Sequence, residues 1–327
     1  MADVLVLGGT AWLGREVARA AVARGDAVTC LARGSAGYPD GVTQVVADRS
    51  RADAYAAVAS RDWDAVVDVA RQPGQVASAV EALGERVAHW TLVSTCSVYA
   101  DASTAGADES AEVLAPFDGD EAPLEEYGAA KARCEQLVAD ALGSRALVAR
   151  SGLIGGPGDP TDRFGYWVSR LALAGDEPVL VPDVPDLPTQ TADVRDLASW
   201  LASAASDGVT GVVDAVAPVT PFGEVLDAAA RVAGSTGRRV AASPSWLVDH
   251  EVQPWMGERS LPLWLPSGME GMCGRSGQRA RDAGWSCRPL AETLTDTLAW
   301  EQDQGLTRPR AAGLTRPDEL TLLERLP

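Results

Sequence analysis

The sequence predicts an α/β protein, a doubly wound parallel sheet followed by a smaller C-terminal lobe. Three observations carry this. Strand-like and helix-like stretches alternate up to about residue 150, the first strand runs directly into a glycine turn and a helix, and the alternation loosens from Ser151 onward. Repeated alternation of this kind places parallel strands side by side with helices on both faces. With 327 residues, 46% of them apolar, the chain can fill a large core and carry an appended lobe.

The first element is Val4-Leu5-Val6-Leu7, a continuous aliphatic run. It feeds Gly8-Gly9-Thr10-Ala11-Trp12-Leu13-Gly14, and Arg15 to Ala23 then shows helical apolar spacing. Glycines often serve a tight turn only by reaching positive φ. Between a buried strand and a helix, however, such a turn brings backbone N–H groups and a helix N-terminus to one point, where a pyrophosphate can be held. Gly8, Thr10, Ala11, Trp12, Leu13 and Gly14 are therefore candidate nucleotide contacts.

Arg24-Gly25-Asp26 stops the helix and Ala27 to Leu31 reads as the second strand. Sites selective for NAD place an acid roughly 20 positions beyond the glycines, on the ribose 2′-hydroxyl, whereas an Arg there accommodates a 2′-phosphate. Here the strand ends in Ala32-Arg33 with no acid nearby, which predicts NADP, with NAD as the other option. Arg33, with Arg15, would face the phosphate; the alternative is that both are ordinary solvated charges. Gln44 to Arg49 looks like a third strand, and Asp48 at its end either meets an adenine amino group or caps a helix starting near Arg51. Ala65 to Ala70 is the fourth strand, and Arg71-Gln72-Pro73-Gly74 opens the helix containing Val76, Val80 and Leu83. Arg49, Val69, Ala70 and Arg71 are counted with the cofactor contacts.

Composition narrows the partners. The 46 acidic residues outnumber the 28 basic ones, and a net charge of −18 with no basic stretch argues against nucleic acid and anionic membranes. Cys30, Cys96, Cys134, Cys273 and Cys287 show no CxxC spacing, and His89 and His250 stand far apart, so neither a disulfide framework nor a metal site is expected. The first strand begins by residue 4 and no apolar run is long enough to span a bilayer, which reads as a cytoplasmic protein with a small-molecule substrate.

The chemistry-bearing residues follow the fifth strand, Trp90 to Val93, which runs into Ser94-Thr95-Cys96-Ser97-Val98-Tyr99. Later, Tyr127-Gly128-Ala129-Ala130-Lys131 opens a helix containing Leu137 and Val138. Residues four apart share a helix face, so Lys131 sits one turn from Tyr127. A tyrosine with a pKa near 10 is a poor base at neutral pH, but a neighbouring ammonium and a cationic nicotinamide both favour the phenolate. The alternative reading of Tyr-x-x-x-Lys alone is an amphipathic helix surface.

Taken together, the glycine turn, Ser94-Thr95-x-Ser97-Val98-Tyr99 and Tyr127-x-x-x-Lys131 resemble the extended short-chain dehydrogenase/reductase superfamily, which includes sugar-nucleotide epimerases and dehydratases. Val148-Ala149-Arg150 followed by Gly155-Gly156-Pro157-Gly158-Asp159, and Thr191 to Ala198, are similar to later segments of that group; the match covers about residues 3 to 206. The resemblance implies a Rossmann-type sheet, with residues 1–150 as an NAD(P)-binding domain rejoined by about 189–216. Residues 151–188 and 217–327 then form a substrate-binding lobe and tail. It also implies that Thr95 hydrogen-bonds the reacting oxygen, that Tyr127 is the general acid/base, and that Lys131 binds the nicotinamide ribose and depresses the tyrosine's pKa. Two departures stand out. Ala11 replaces the family's middle glycine, and Cys96-Ser97 replaces the Asp-Glu that its dehydratases tend to carry after the catalytic Thr. The first shifts the cofactor slightly, and the second counts against sugar dehydration. Cys96 itself reads as a small buried apolar group rather than a nucleophile.

Asp101 to Glu126 holds nine acids and no Lys or Arg, which suggests an irregular loop, either a cover for the site or a solvated surface. Its acidity weighs against a nucleotide-sugar diphosphate unless Arg71, Arg150 or Arg163 line the pocket. Pro178 to Pro188 should be irregular, Thr189 to Val194 should return to the sheet, Gly211 to Val216 should add a short strand, and Phe222 to Val232 should form a helix. Trp246, Trp255, Trp264 and Trp285 either wall an apolar pocket or simply pack the lobe. Gly305-Leu306-Thr307-Arg308-Pro309 recurs as Gly313 to Pro317, too few copies for a solenoid. A final helix then docks Leu320, Leu323 and Leu326 on the body or on a second subunit, leaving a homodimer open. The expected activity is NADPH-dependent reduction of a carbonyl on a small or natural-product substrate. The alternatives are a redox-neutral epimerase or dehydratase, and a non-catalytic NADP-binding sensor or scaffold.

Overall fold

The computed structural model describes residues 1–326. Its first half alternates as the sequence predicts: β1 (Asp3–Leu7), α1 (Trp12–Ala23), β2 (Ala27–Ala32), β3 (Thr43–Val46), β4 (Trp63–Asp68), α2 (Pro73–Leu83), β5 (Val87–Thr95), α3 (Tyr127–Leu142) and β6 (Ala146–Ser151). The second half is more broken. It runs through β7 (Leu153–Gly155), α4 (Gly165–Ala174), β8 (Val179–Pro182), β9 (Pro188–Thr189), β10 (Thr191–Asp193), α5 (Val194–Ser203), β11 (Gly211–Ala215), β12 (Thr220–Pro221), α6 (Phe222–Ala233), β13 (Arg239–Ala242) and α7 (Pro244–Asp249). It ends with β14 (Gln253–Trp255), β15 (Ser260–Pro262), α8 (Gln278–Asp282), α9 (Leu290–Gln304) and α10 (Arg316–Arg325).

Seven strands form one parallel Rossmann-type sheet in the order β11-β6-β5-β4-β1-β2-β3. Side chains alternate between faces along a strand, and helices cover both faces here, so β1 must be apolar at every position. Val4 and Val6 pack with Val17 and Ala21 of α1 and Leu197 and Leu201 of α5, while Leu5 and Leu7 pack with Val76 and Leu83 of α2 and Val138 of α3. The chain order reverses between β1 and β4. In such sheets the carboxyl ends of the strands at this switch point open a crevice.

A separate core joins α4, α6 and α9 around Trp167, Phe222 and Leu298, with Trp264 also buried in it. Several expectations are corrected here. Val179–Pro182 is a strand, because β13 pairs beside it in parallel. Thr191–Asp193 pairs with β7 rather than joining the central sheet, and Asp193 caps α5 by accepting from the Arg195 N–H at 2.8 Å. No helix follows Asp48; residues 49–60 form successive turns, and its carboxylate accepts from the Ser50 N–H at 3.0 Å. In α10 it is Leu322 that is fully buried, with Leu323 and Leu326 beside it, while Leu320 is exposed. The tail repeat has separate uses in its two copies: Arg308 pairs with Asp162 and Glu301, and Arg316 with Glu177 and Glu319. No helix among the described residues is long and apolar enough to cross a membrane.

Candidate active site

The glycine turn is fixed by contacts that leave no space for side chains. Gly8 has φ +96°, and a Cβ on Gly14 would lie 2.3 Å from the Gly8 carbonyl oxygen. Ala11 at the N-cap of α1 has φ −69°, which alanine adopts freely, and it is exposed at the crevice. No side chain caps this helix, so its first-turn N–H groups remain open donors, the arrangement that suits a pyrophosphate. The fit to a dinucleotide is therefore good, and Ala11 does not close the entry.

A cavity of about 400 Å³ runs along this end of the sheet, lined by Gly8, Thr10, Ala11, Arg33, Asp48, Arg49, Val69, Ala70 and Arg71 among others. Arg33 is exposed; hydrogen bonds from Ser50 hold Asp48 below its ordinary pKa, with a smaller pull from the charge of Arg33. Arg15 instead donates to the carbonyls of Ala36 and Thr10. Arg49 offers the cavity a wall rather than a free charge: its Nη1 and Nη2 donate to Asp68 at 2.7 and 2.9 Å. Leu13 and Gly14 are buried, so the turn can use only their backbone.

Arg71 also borders a second cavity of about 520 Å³, which Trp12, Thr95 and Tyr127 line. The indole of Trp12 donates to the Pro157 carbonyl at 2.9 Å, tying the glycine turn to the Gly-Pro-Gly loop. At the end of β5, the Thr95 hydroxyl oxygen accepts from the Ser97 N–H at 3.1 Å and donates to the Ser97 hydroxyl at 3.2 Å. Ser97 is a cavity residue that the sequence reading did not single out. Burial pushes the Tyr127 phenol above its ordinary pKa; a hydrogen bond with Thr95 and the charges of Arg163 and Arg71 pull it partly back.

Lys131 is 2% exposed, and its ammonium donates to the carbonyls of Ala70 and Val93, both at 2.7 Å. Burial lowers its pKa. Of the 28 Lys and Arg residues, it alone is lysine. A guanidinium is larger and does not deprotonate, whereas an ammonium is compact and its pKa shifts readily. That solitary lysine is a signal the sequence itself offered.

Beneath these residues lies a buried charge network. Glu135 accepts from the Ser94 hydroxyl at 2.5 Å and from Arg150 at 2.7 Å, so Arg150 is not a pocket cation. Tyr99 donates to Asp214 at 2.5 Å, and Arg275 lies 3.4 Å from its ring centroid. The acidic segment joins this network: Glu109 accepts from the Asp214 N–H at 2.8 Å, and the Gly106 N–H donates to the Gly274 carbonyl at 2.7 Å. The segment is thus tied at Gly106 and Glu109 to the second half of the chain, while its other eight acids remain exposed. Cys96 is buried and its thiol pKa is pushed well up by desolvation, consistent with an apolar filler. Of the four tryptophans considered, Trp255 lines the second cavity, while Trp264 and Trp285 are buried in packing.

Residues 4–214 match the NAD dependent epimerase/dehydratase family. The chain belongs to that family. It is an NAD-dependent enzyme family of the extended short-chain dehydrogenase/reductase type, as the glycine turn and Tyr-x-x-x-Lys implied. Solved structures agree on the fold. The UDP-Glc/GlcNAc 4-epimerase from Campylobacter jejuni superimposes with TM-score 0.71 at 14% identity, over 93% of this chain and 100% of that one. The Thermus thermophilus UDP-glucose 4-epimerase, in complex with NAD, gives 0.61 at 19% identity, over 91% and 98%. The Bacillus cereus UDP-glucuronic acid 4-epimerase, also in complex with NAD, gives 0.65 at 13%, over 91% and 96%. No curated protein matches the chain.

Proposed function

We propose that this protein is an NADP-dependent oxidoreductase that reduces a carbonyl on a small, largely apolar substrate. The observation that carries this is that Arg71 lines two cavities at once: one runs past the open helix N-terminus and Arg33, and the other has Thr95 and Tyr127 on its wall. A nicotinamide held there supplies hydride. Thr95 holds the substrate oxygen through its hydroxyl, and Tyr127 donates the proton to that oxygen. Lys131, its ammonium anchored on the Ala70 and Val93 carbonyls, would turn its remaining N–H to the ribose hydroxyls of a bound cofactor and favour the phenolate left behind. With its pKa raised by burial, Tyr127 is protonated at neutral pH and ready as a donor.

A second reading is favoured by the family match: the same residues would oxidise and re-reduce one carbon, inverting it with no net loss of cofactor. Cofactor consumption separates the two. Across a panel of aryl and alkyl ketones and the matching chiral secondary alcohols, followed by NADPH absorbance and chiral analysis, the first reading expects one NADPH lost per ketone reduced, and inversion of an alcohol without NADPH loss, with no ketone reduced, rejects it in favour of the second. The Michaelis constant for NADPH is expected below that for NADH. Arg33→Ala should raise the NADPH constant about 10-fold or more, as loss of a charged hydrogen bond does, and leave NADH nearly unaffected. Equal changes for both cofactors would remove Arg33 from the 2′-phosphate.

A further inference from the structure

Arg163 is the anomaly of the second cavity. The buried arginines Arg150, Arg170 and Arg275 each meet a carboxylate, Glu135, Glu319 and Asp214 respectively. Arg163 lines the cavity beside Tyr127 and makes no ion pair among the described residues. Only its Nε is engaged, donating to the Thr161 hydroxyl at 3.1 Å, and that hydroxyl in turn donates to Asp159 at 2.7 Å. The guanidinium carbon lies 4.8 Å from the centroid of the Trp255 ring. One edge and one face are thus held, and the two terminal nitrogens are left without partners, in the fork geometry that matches a carboxylate.

The backbone on both sides is strained into place. Asp162, the residue before Arg163, has φ +57°, and Trp255 has φ +69°, a left-handed conformation that bulky side chains rarely adopt. Asp162 is held there by Arg308 and by the Ala311 N–H at 2.8 Å. Strain that surrounding contacts impose at a pocket wall is typical of a functional position.

We propose that Arg163 binds a carboxylate on the substrate, so that the substrate is a small aromatic or alkyl acid whose reacting oxygen lies elsewhere on its body. This rests on reading the 520 Å³ cavity as the substrate site. The rest of the wall fits such a body: Leu124, Met256 and Met272 are apolar, and Trp255 presents a flat ring. Charge argues for a single anion. Two guanidinium groups, Arg71 and Arg163, and one carboxylate, Asp159, line the cavity, a balance of one net positive charge that suits a single anion better than a diphosphate.

The test is binding rather than turnover. With NADP present, calorimetry compares 4-phenylbutanoate, the neutral 4-phenylbutan-1-ol and UDP on the wild type, Arg163→Met and Arg163→Lys, with melting curves to check folding. The acid should bind the wild type at least 10-fold more tightly than the alcohol. Arg163→Met should erase that difference, and Arg163→Lys should keep part of it. Equal binding of acid and alcohol by the wild type, no binding of either, a folded Arg163→Met that keeps the preference, or UDP binding more tightly than the acid would each overturn the proposal. If Arg163→Met does not fold, the wild-type comparison and Arg163→Lys still decide. Acid binding that depends on Arg163, with no ketone reduced, would sink the reductase reading alone. Reduction of neutral ketones without any acid preference would sink this inference alone.

Discussion

Tyr127→Phe is expected to lower kcat about 10²- to 10⁴-fold, the range lost when a positioned general acid is removed. The substitution takes away one hydroxyl and keeps the ring, so α3 and the cavity wall should be unchanged. Thr95 retains its bonds to Ser97 in the variant, so the second hydroxyl stays where it was. The NADPH dissociation constant should therefore move little while turnover collapses, and steady-state NADPH absorbance beside a fluorescence titration separates the two. Turnover within threefold of wild type would mean that the proton comes from another group. Burial raises the phenol's pKa, so the proton-donating form prevails below that raised value. Reduction should accordingly run level through neutral pH and fall only in the alkaline range, whereas oxidation should rise over that same range.

Much of this was legible because it depended on local pattern. Val4 to Leu7 is apolar without alternation, and only a strand covered on both faces requires that. Tyr127 and Lys131 lie one turn apart in sequence, so their common helix needed no tertiary information. What the sequence hid was pairing between distant segments. Pro178 to Pro188 looks irregular because of its prolines, yet Val179–Pro182 becomes a strand when Arg239–Ala242 lies beside it. Asp101 to Glu126 reads equally as a cover or as a solvated loop because Arg275, the cation it meets through the Asp108 carbonyl, lies 167 residues further on. The same holds for the arginines: nothing local distinguishes Arg150, which Glu135 neutralises, from Arg163, which makes no ion pair among the described residues.

Asp68→Ala should cost about 3–5 kcal/mol of folding stability, the penalty for leaving a buried charge without its partner. Asp68 is fully buried at the end of β4, and its two oxygens take both terminal nitrogens of Arg49. That guanidinium also reaches Tyr55 at 2.8 Å and the Gln75 carbonyl at 2.8 Å, so the ion pair fastens the turns after β3 to α2. Removing the carboxylate leaves the cation desolvated with only neutral acceptors. Replacing both partners, Arg49→Met with Asp68→Leu, should cost less than Asp68→Ala alone, because no unpaired charge then remains. Urea midpoints for the three proteins measure this, and a double variant less stable than the single one would contradict it. The damage should also reach the cofactor. Asp68 accepts from the Ala70 N–H at 2.9 Å, and the Ala70 carbonyl is one of the two that hold the Lys131 ammonium. Loosening Ala70 therefore frees the lysine from one of its anchors, so a folded Asp68→Ala protein should bind NADPH more weakly even though no atom of Asp68 lines the crevice.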